Sequence, residues 1–176
     1  MDLKVKQKKA VYTKRLRLAP YSDGDTEALC ALLCDPVITK TFMVPEFATL
    51  EDAEPLAKKL VSFSRPEDEA HLEYGIYLGD RLIGFINDCG IEGDSIEIGY
   101  AIRPDLHGNG YATEAVSAVL AELWDMGFAK VTAGYFVGNE ASRRVMEKCK
   151  MKLTDEEDEA EYRGEKHKCR YCEIVF

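Results

Sequence analysis

The run Leu106-His107-Gly108-Asn109-Gly110-Tyr111-Ala112-Thr113-Glu114 constrains this chain more than any other stretch, because a strand pattern leads into it and a helix pattern leaves it. Upstream, Ile96, Ile98, Tyr100 and Ile102 alternate along 95–102, the period of a half-buried strand. Downstream, Ala112, Ala115, Val116, Val119, Leu120, Leu123 and Trp124 recur at helical spacing and form one apolar stripe, with Gly127 as the stop. Gly108 and Gly110 reach backbone angles that other residues resist, and their missing side chains let an anion approach the unpaired N–H groups of the helix's first turn. The segment reads as a pocket for phosphate oxygens; a tight strand-to-helix connection is the other use of such a turn.

Two familiar phosphate loops do not fit it. A nucleoside triphosphate loop requires Lys followed by Ser or Thr, and neither stands at the required position. A dinucleotide fingerprint requires a third glycine where Thr113 stands, and an acidic residue at the end of the next strand, near Phe136 and Val137. A nicotinamide cofactor is therefore not expected.

The strand, the His-Gly-Asn-Gly-Tyr-Ala-Thr-Glu-Ala run, a helix, a further strand and then Asn139-Glu140-Ala141-Ser142 opening another helix occur in this order. The order resembles the GNAT superfamily of acyl-CoA-dependent N-acetyltransferases over roughly residues 13 to 176. The likeness is greatest to the branch that includes ribosomal-protein N-terminal acetyltransferases. The resemblance implies an α/β fold with a mixed, strongly bent sheet whose fourth and fifth strands splay apart. Acetyl-CoA, as co-substrate, would lie in the gap with its pyrophosphate on the backbone amides of Gly108, Asn109, Gly110, Tyr111, Ala112 and Thr113.

By the same resemblance, Tyr100, Ala101 and Ile102 lie nearest the acyl group, and a backbone N–H there would meet the thioester oxygen. Asn139 would orient the pantetheine arm or its pocket. Ser142 has three readings: it binds the cofactor, caps its helix, or gives a proton to the departing thiolate. Glu97, on the strand face opposite Ile96 and Ile98, is the expected general base, against the bland reading of an outward-facing strand glutamate. His107 stands where the family usually has Gln or Arg and, at the phosphate end, is given no chemical role. Two further departures are Lys150-Met151, where similar proteins place Gly-Phe, and Met146, where one branch carries a tyrosine that protonates the thiolate.

A chain of 176 residues is enough for one domain with its own core, here 13–176 behind a basic N-terminal extension, 1–12. The net charge of −9 is uneven: Lys4, Lys6, Lys8, Lys9, Lys14, Arg15 and Arg17 face only Asp2 in the first seventeen residues, which leaves −15 beyond them. That balance argues against a nucleic-acid surface, and the basic arm reads as a solvated extension. The six cysteines match neither a disulfide framework nor paired metal ligands, so no metal is expected and reduced thiols in a cytoplasmic protein are the simpler account. No apolar run approaches membrane-spanning length.

Along the chain, Thr13 to Ala19 reads as the first strand, Asp23 or Asp25 caps a helix containing Leu29 and Leu33, and Leu50 to Phe63 forms a second helix burying Leu56, Leu60 and Phe63. Pro55 is tolerable only near the start of that helix. Between the helices, Phe42, Met43 and Phe47 are candidates to contact substrate, with core packing as the alternative. Glu73 to Leu78, Arg81 to Ile91 and Ser95 to Ile102 form a meander, Lys130 to Val137 the fifth strand, and Met151 to Asp155 with Lys166 to Phe176 a closing hairpin. The acidic run at 155–161 falls in the loop of that hairpin.

The acceptor is expected to be a primary amine on a peptide or small molecule. At pH 7 an α-amine is roughly 15% neutral and a lysine side chain roughly 0.04%, so a single carboxylate serves an α-amine more easily. The alternatives are a small cationic amine, such as a polyamine or aminoglycoside drawn by the acidic run, and a non-catalytic acyl-CoA-binding module. A homodimer is the assembly left open.

Overall fold

A computed structural model describes residues 1–6 and 8–176. Among them, eight strands and four helices follow one another: β1 (Val11–Tyr12), β2 (Arg17–Ala19), α1 (Thr26–Cys34), α2 (Leu50–Phe63), β3 (Glu73–Leu78), β4 (Arg81–Glu92), β5 (Ser95–Ile102), α3 (Tyr111–Asp125), β6 (Lys130–Phe136), α4 (Glu140–Lys148), β7 (Lys152–Tyr162) and β8 (Glu165–Val175). The strands form one mixed sheet in the order β1-β2-β3-β4-β5-β6-β8-β7, and only β5 and β6 run parallel. That single parallel step requires a crossover, which α3 supplies.

Two apolar clusters flank the sheet. Ile83, Ile86, Ile96, Ile98 and Ile102 pack with Val116, Val119, Leu120 and Leu123 of α3, whereas Leu82 and Phe85 pack with Leu29, Leu33, Ala57 and Val61 of α1 and α2. Alternate residues of β4 serve the two clusters, as the period of a strand dictates, and a bulge against Ile76 and Tyr77 re-phases it near Leu82.

Several local expectations need correction. The first strand is broken at 13–16, because Glu114 of α3 draws that turn onto itself: it accepts from Thr13 Oγ1 at 2.6 Å, Arg15 N at 2.8 Å and Arg15 Nε at 2.7 Å. Two residues of the segment read as a solvated arm, Val5 and Lys8, pack down instead. Val5 is fully buried, and the Lys8 ammonium donates to the carbonyls of Phe63 and His71, the latter at 3.0 Å. In α2, which has the bounds read from the sequence with Pro55 inside it, the buried face centres on Ala53, Ala57 and Val61, and Leu56 and Leu60 pack only partly buried beside it. A Thr49–Asp52 capping box supports that helix's first turn.

The acidic run is not a loop. It belongs to β7, an edge strand paired with β8 so that Glu157 opposes Arg170, Glu159 opposes Lys168 and Glu161 opposes Lys166. Cross-strand opposite charges stabilise such a pairing, and a charged edge resists unwanted strand addition.

After α4 the chain turns through Lys150 at φ 67°. Lys150 N donates to Glu147 O and Met151 N to Met146 O, both at 3.0 Å, the two bonds of a Schellman ending that glycine makes without strain. Lys150→Gly is therefore expected to stabilise the protein by about 1 kcal/mol in urea unfolding. An unchanged midpoint would show that this turn carries no strain.

Candidate active site

The β5–β6 ladder is short: Ser95, Ile96 and Glu97 pair with Lys130, Val131 and Thr132, and there it stops. Beyond it β5 stays on β4 as far as Ile102, and β6 stays on β8 as far as Phe136, so the two strands part from Ile98 onward. Arg103 N–H donates to Ile83 O at 2.7 Å, and the Ala101 carbonyl abuts Gly84 on β4, where any side chain would collide with it. Alternation along the ladder then turns the main-chain groups of Tyr100 and Ile102 toward the gap.

A cleft of about 350 Å³ fills this gap. Its wall includes Tyr100, Ala101 and Ile102 of β5, His107, Gly108 and Gly110 of the loop, Tyr111, Ala112 and Thr113 of α3, and Asn139 and Ser142 at α4. The sequence-predicted cofactor residues thus converge on one cleft, with one exception. Asn109 turns away and braces the loop, its Nδ2 donating to Leu106 O at 2.9 Å and His107 O at 3.3 Å. His107 Nε2 lies 2.7 Å from the Ile102 carbonyl, which only accepts, so this nitrogen carries the proton and the imidazole fastens the loop to the strand.

Gly110 is the N-cap of α3 at φ 80°, and no side chain caps the helix. Its first-turn N–H groups are left for an anion, with the helix dipole in support. Arg144 and Lys148 of α4 add positive charge to the same cleft, in a protein of net charge −9. Neither was picked out from the sequence, although a basic pair at i and i+4 on the helix after Asn139 was the available signal.

A second cavity of about 180 Å³ adjoins the first and shares Thr41, Phe42, Tyr100, Asn139 and Ser142 with it. Glu97, Cys89, Met43 and Tyr171 line its far side. Of the three aromatic-loop candidates, Phe42 and Met43 reach this cavity, whereas Phe47 packs with the α1–α2 cluster. Burial, and then the neighbouring Glu156, push the Glu97 carboxyl above the usual carboxylate range. Cys89 is exposed at the rim of this cavity, and desolvation by the surrounding protein, then Glu97, raises its thiol above the ordinary range.

At the shared wall, the Tyr100 hydroxyl donates to Ser142 O at 3.0 Å and shares a second hydrogen bond with Ser142 Oγ, also at 3.0 Å. Asn139 caps α4, its Oδ1 accepting from Ser142 N at 3.3 Å, so the serine hydroxyl is not spent on capping. Met146, at the place of the tyrosine found in one branch of the family, is fully buried in the core. The phenol at this junction comes from β5 instead.

A parallel pair of strands that part over an uncapped helix N-terminus, with a second cavity meeting the gap, is the architecture of an acetyltransferase. The chain belongs to the acetyltransferase (GNAT) domain family, whose model matches residues 15–152. It is 28% identical over 139 residues, 76% of this chain and 77% of the relative, to YoaA of Bacillus subtilis (strain 168), an uncharacterized N-acetyltransferase. Among solved structures it is similar to a GNAT-family acetyltransferase from Bacillus anthracis, at TM-score 0.80 and 24% identity over 94% of this chain and 98% of that one. It also superposes on RimL, a ribosomal alpha-N-protein acetyltransferase solved with coenzyme A, at TM-score 0.82 and 18% identity over 99% and 98% of the two chains.

Proposed function

We propose that this protein transfers the acetyl group of acetyl-CoA directly to a primary amine, with a protein or peptide N-terminal amine as the acceptor class. The observation that carries the reading is the junction at Tyr100 and Ser142, where a cleft with anion-binding amides meets a cavity holding a half-buried carboxylate. The phosphates rest on the first turn of α3, and Tyr100 and Ile102 pair their main chain with the pantetheine arm. The amine enters beside Glu97, and its nitrogen attacks the thioester carbon while the carboxylate takes the amine proton. The N–C bond forms and the C–S bond breaks. The Ser142 hydroxyl gives the departing sulfur its proton and is replenished through Tyr100 and solvent.

The α-amine is favoured because a single carboxylate has less to do for an amine already partly neutral at pH 7. RimL, with its alpha-N-protein acceptor, supports the same class. The closeness of Glu156 to Glu97 favours acceptors with additional positive charge, so a small polycationic amine is the second reading. Six free cysteines suit a reducing, cytoplasmic setting.

Acetyl-CoA and CoA at a hundred times their Kd are each expected to stabilise the protein by about 2.7 kcal/mol in thermal unfolding, and NAD to have no effect. An amine panel of N-terminal peptides and polyamines follows, with turnover read as free thiol. Binding without transfer to any amine would identify a non-catalytic acyl-CoA module; no binding would sink the transferase reading.

A further inference from the structure

The segment between α1 and α2 places Thr41 and Phe42 on both cavities while having no helix or strand of its own. Local bonds hold its beginning: Thr39 N donates to Asp35 O at 2.9 Å and Phe42 N to Ile38 O at 2.9 Å. Its continuation is tied to a residue far along the chain. At the tip of the β7–β8 hairpin, the Tyr162 hydroxyl lies 2.6 Å from Thr39 O and 3.2 Å from Phe42 O, and Val44 N–H points to it at 3.4 Å. Arg163, next on the same tip, donates to Thr39 Oγ1 at 3.2 Å, and Thr39 is buried.

This phenol gathers main-chain groups on either side of Met43, a residue that lines the smaller cavity. The Phe42 ring is fixed in turn: it meets Phe85 edge-on at 5.0 Å, and its Cε2 lies 2.9 Å from where a Cβ on Gly99 would stand. Gly99 is the β5 residue between Ile98 and Tyr100, at the point where the strands part. The hydroxyl of Tyr162 thus reaches the partition between donor and acceptor only through the loop backbone.

We infer that Tyr162 is a positioning residue for acceptor recognition: its hydroxyl sets the loop main chain that holds Phe42 and Met43 against the acceptor cavity. The inference rests on the reading of the smaller cavity as the acceptor site. It assigns to the hairpin tip a role in selectivity, separate from the charge along β7. Backbone carbonyls gathered on one hydroxyl are lost together when that hydroxyl is removed, while the ring's packing near Phe136 and His167 stays.

Tyr162→Phe is the test, with Tyr12→Phe, exposed on β1 and lining neither cavity, as a comparison for general effects. In the Tyr162 variant, hydrogen exchange across 39–44 is expected to rise at least about tenfold with global unfolding little changed. The acceptor KM should rise about fivefold to tenfold, with acetyl-CoA affinity within twofold and amine-independent acetyl-CoA hydrolysis increased. Unchanged exchange in the loop would overturn the latch. Faster exchange with unchanged acceptor KM and hydrolysis would overturn its role in recognition. If the wild type transfers to no amine, the acetyltransfer reading fails; loop exchange and donor hydrolysis still decide whether the latch exists and guards the partition.

Discussion

Glu97→Gln is expected to lower kcat by about a hundredfold to a thousandfold with acetyl-CoA affinity unchanged, because a positioned general base contributes on that order. Glu97 lines the smaller cavity and not the larger cleft, so its loss should separate turnover from donor binding. The pH dependence supplies an independent readout. Burial, and secondarily Glu156, disfavour the charged carboxylate, so its folded-state pKa lies above the ordinary 4.5. Only the ionised form accepts a proton, so kcat/KM of the wild type should rise with pH through a midpoint above 4.5 and the Gln variant should lack that limb. Glu156→Gln removes a like charge and should move the midpoint down.

The sign of the linkage gives a folding control for the same experiment. A carboxyl whose pKa is raised on folding disfavours the native state once pH exceeds its unfolded pKa, so the neutral amide at 97 should not destabilise the protein at neutral pH. A Gln variant that retains full activity would remove Glu97 from the mechanism. One that loses acetyl-CoA binding with activity would make it a structural residue of the cleft.

The acidic edge strand shows where residue-by-residue reading fails. Residues 155–161 carry no apolar alternation, and a strand with no buried face leaves no hydrophobic period to find. What holds it is the partner: Arg170 lies 3.5 Å from Glu157, and Lys166 lies 3.3 Å from Glu159. A local cue did exist, since Arg163 and Gly164 both adopt positive φ in the two-residue turn, and glycine in such a turn marks a hairpin. The α3 stripe, apart from Trp124, which stays exposed, and the Asn139 cap were legible because their causes are local. The Tyr162 contact to Thr39 spans 123 residues and depends on hairpin length, sheet order and loop path together.

The same limit applies to Tyr100. Alternation along β5 marks it as half-buried, but its hydroxyl's meeting with Ser142, 42 residues on, depends on where the strands part. The Gly-Asn-Gly run and Asn139-x-x-Ser142 could be placed in sequence, yet their common cleft exists only because three ladder pairs join β5 to β6 before the gap. Met146 marks a departure visible in the sequence: it is buried in the core where one branch of the family carries a tyrosine, while Tyr100 of β5 lines the cleft.

That phenol leads to the second large expected effect. Ser142→Ala should lower kcat about a hundredfold by removing the hydroxyl that meets the departing sulfur, and Tyr100→Phe about tenfold to thirtyfold by releasing that hydroxyl from its hydrogen bond. Because Tyr100 acts through Ser142, the double variant should be no slower than Ser142→Ala alone, whereas independent contributions would multiply. Desolvation holds the half-buried phenol neutral well above its usual pKa, so it serves as a hydrogen-bond donor and not as an anion across the working pH range. Main-chain contacts of residue 100 survive in the Phe variant, and acetyl-CoA affinity should stay within about threefold. A multiplicative double variant would mean that Tyr100 touches the reacting atoms itself. A loss confined to acetyl-CoA affinity would mean that the pair only holds the donor in the gap between the strands, leaving the sulfur to take its proton from water.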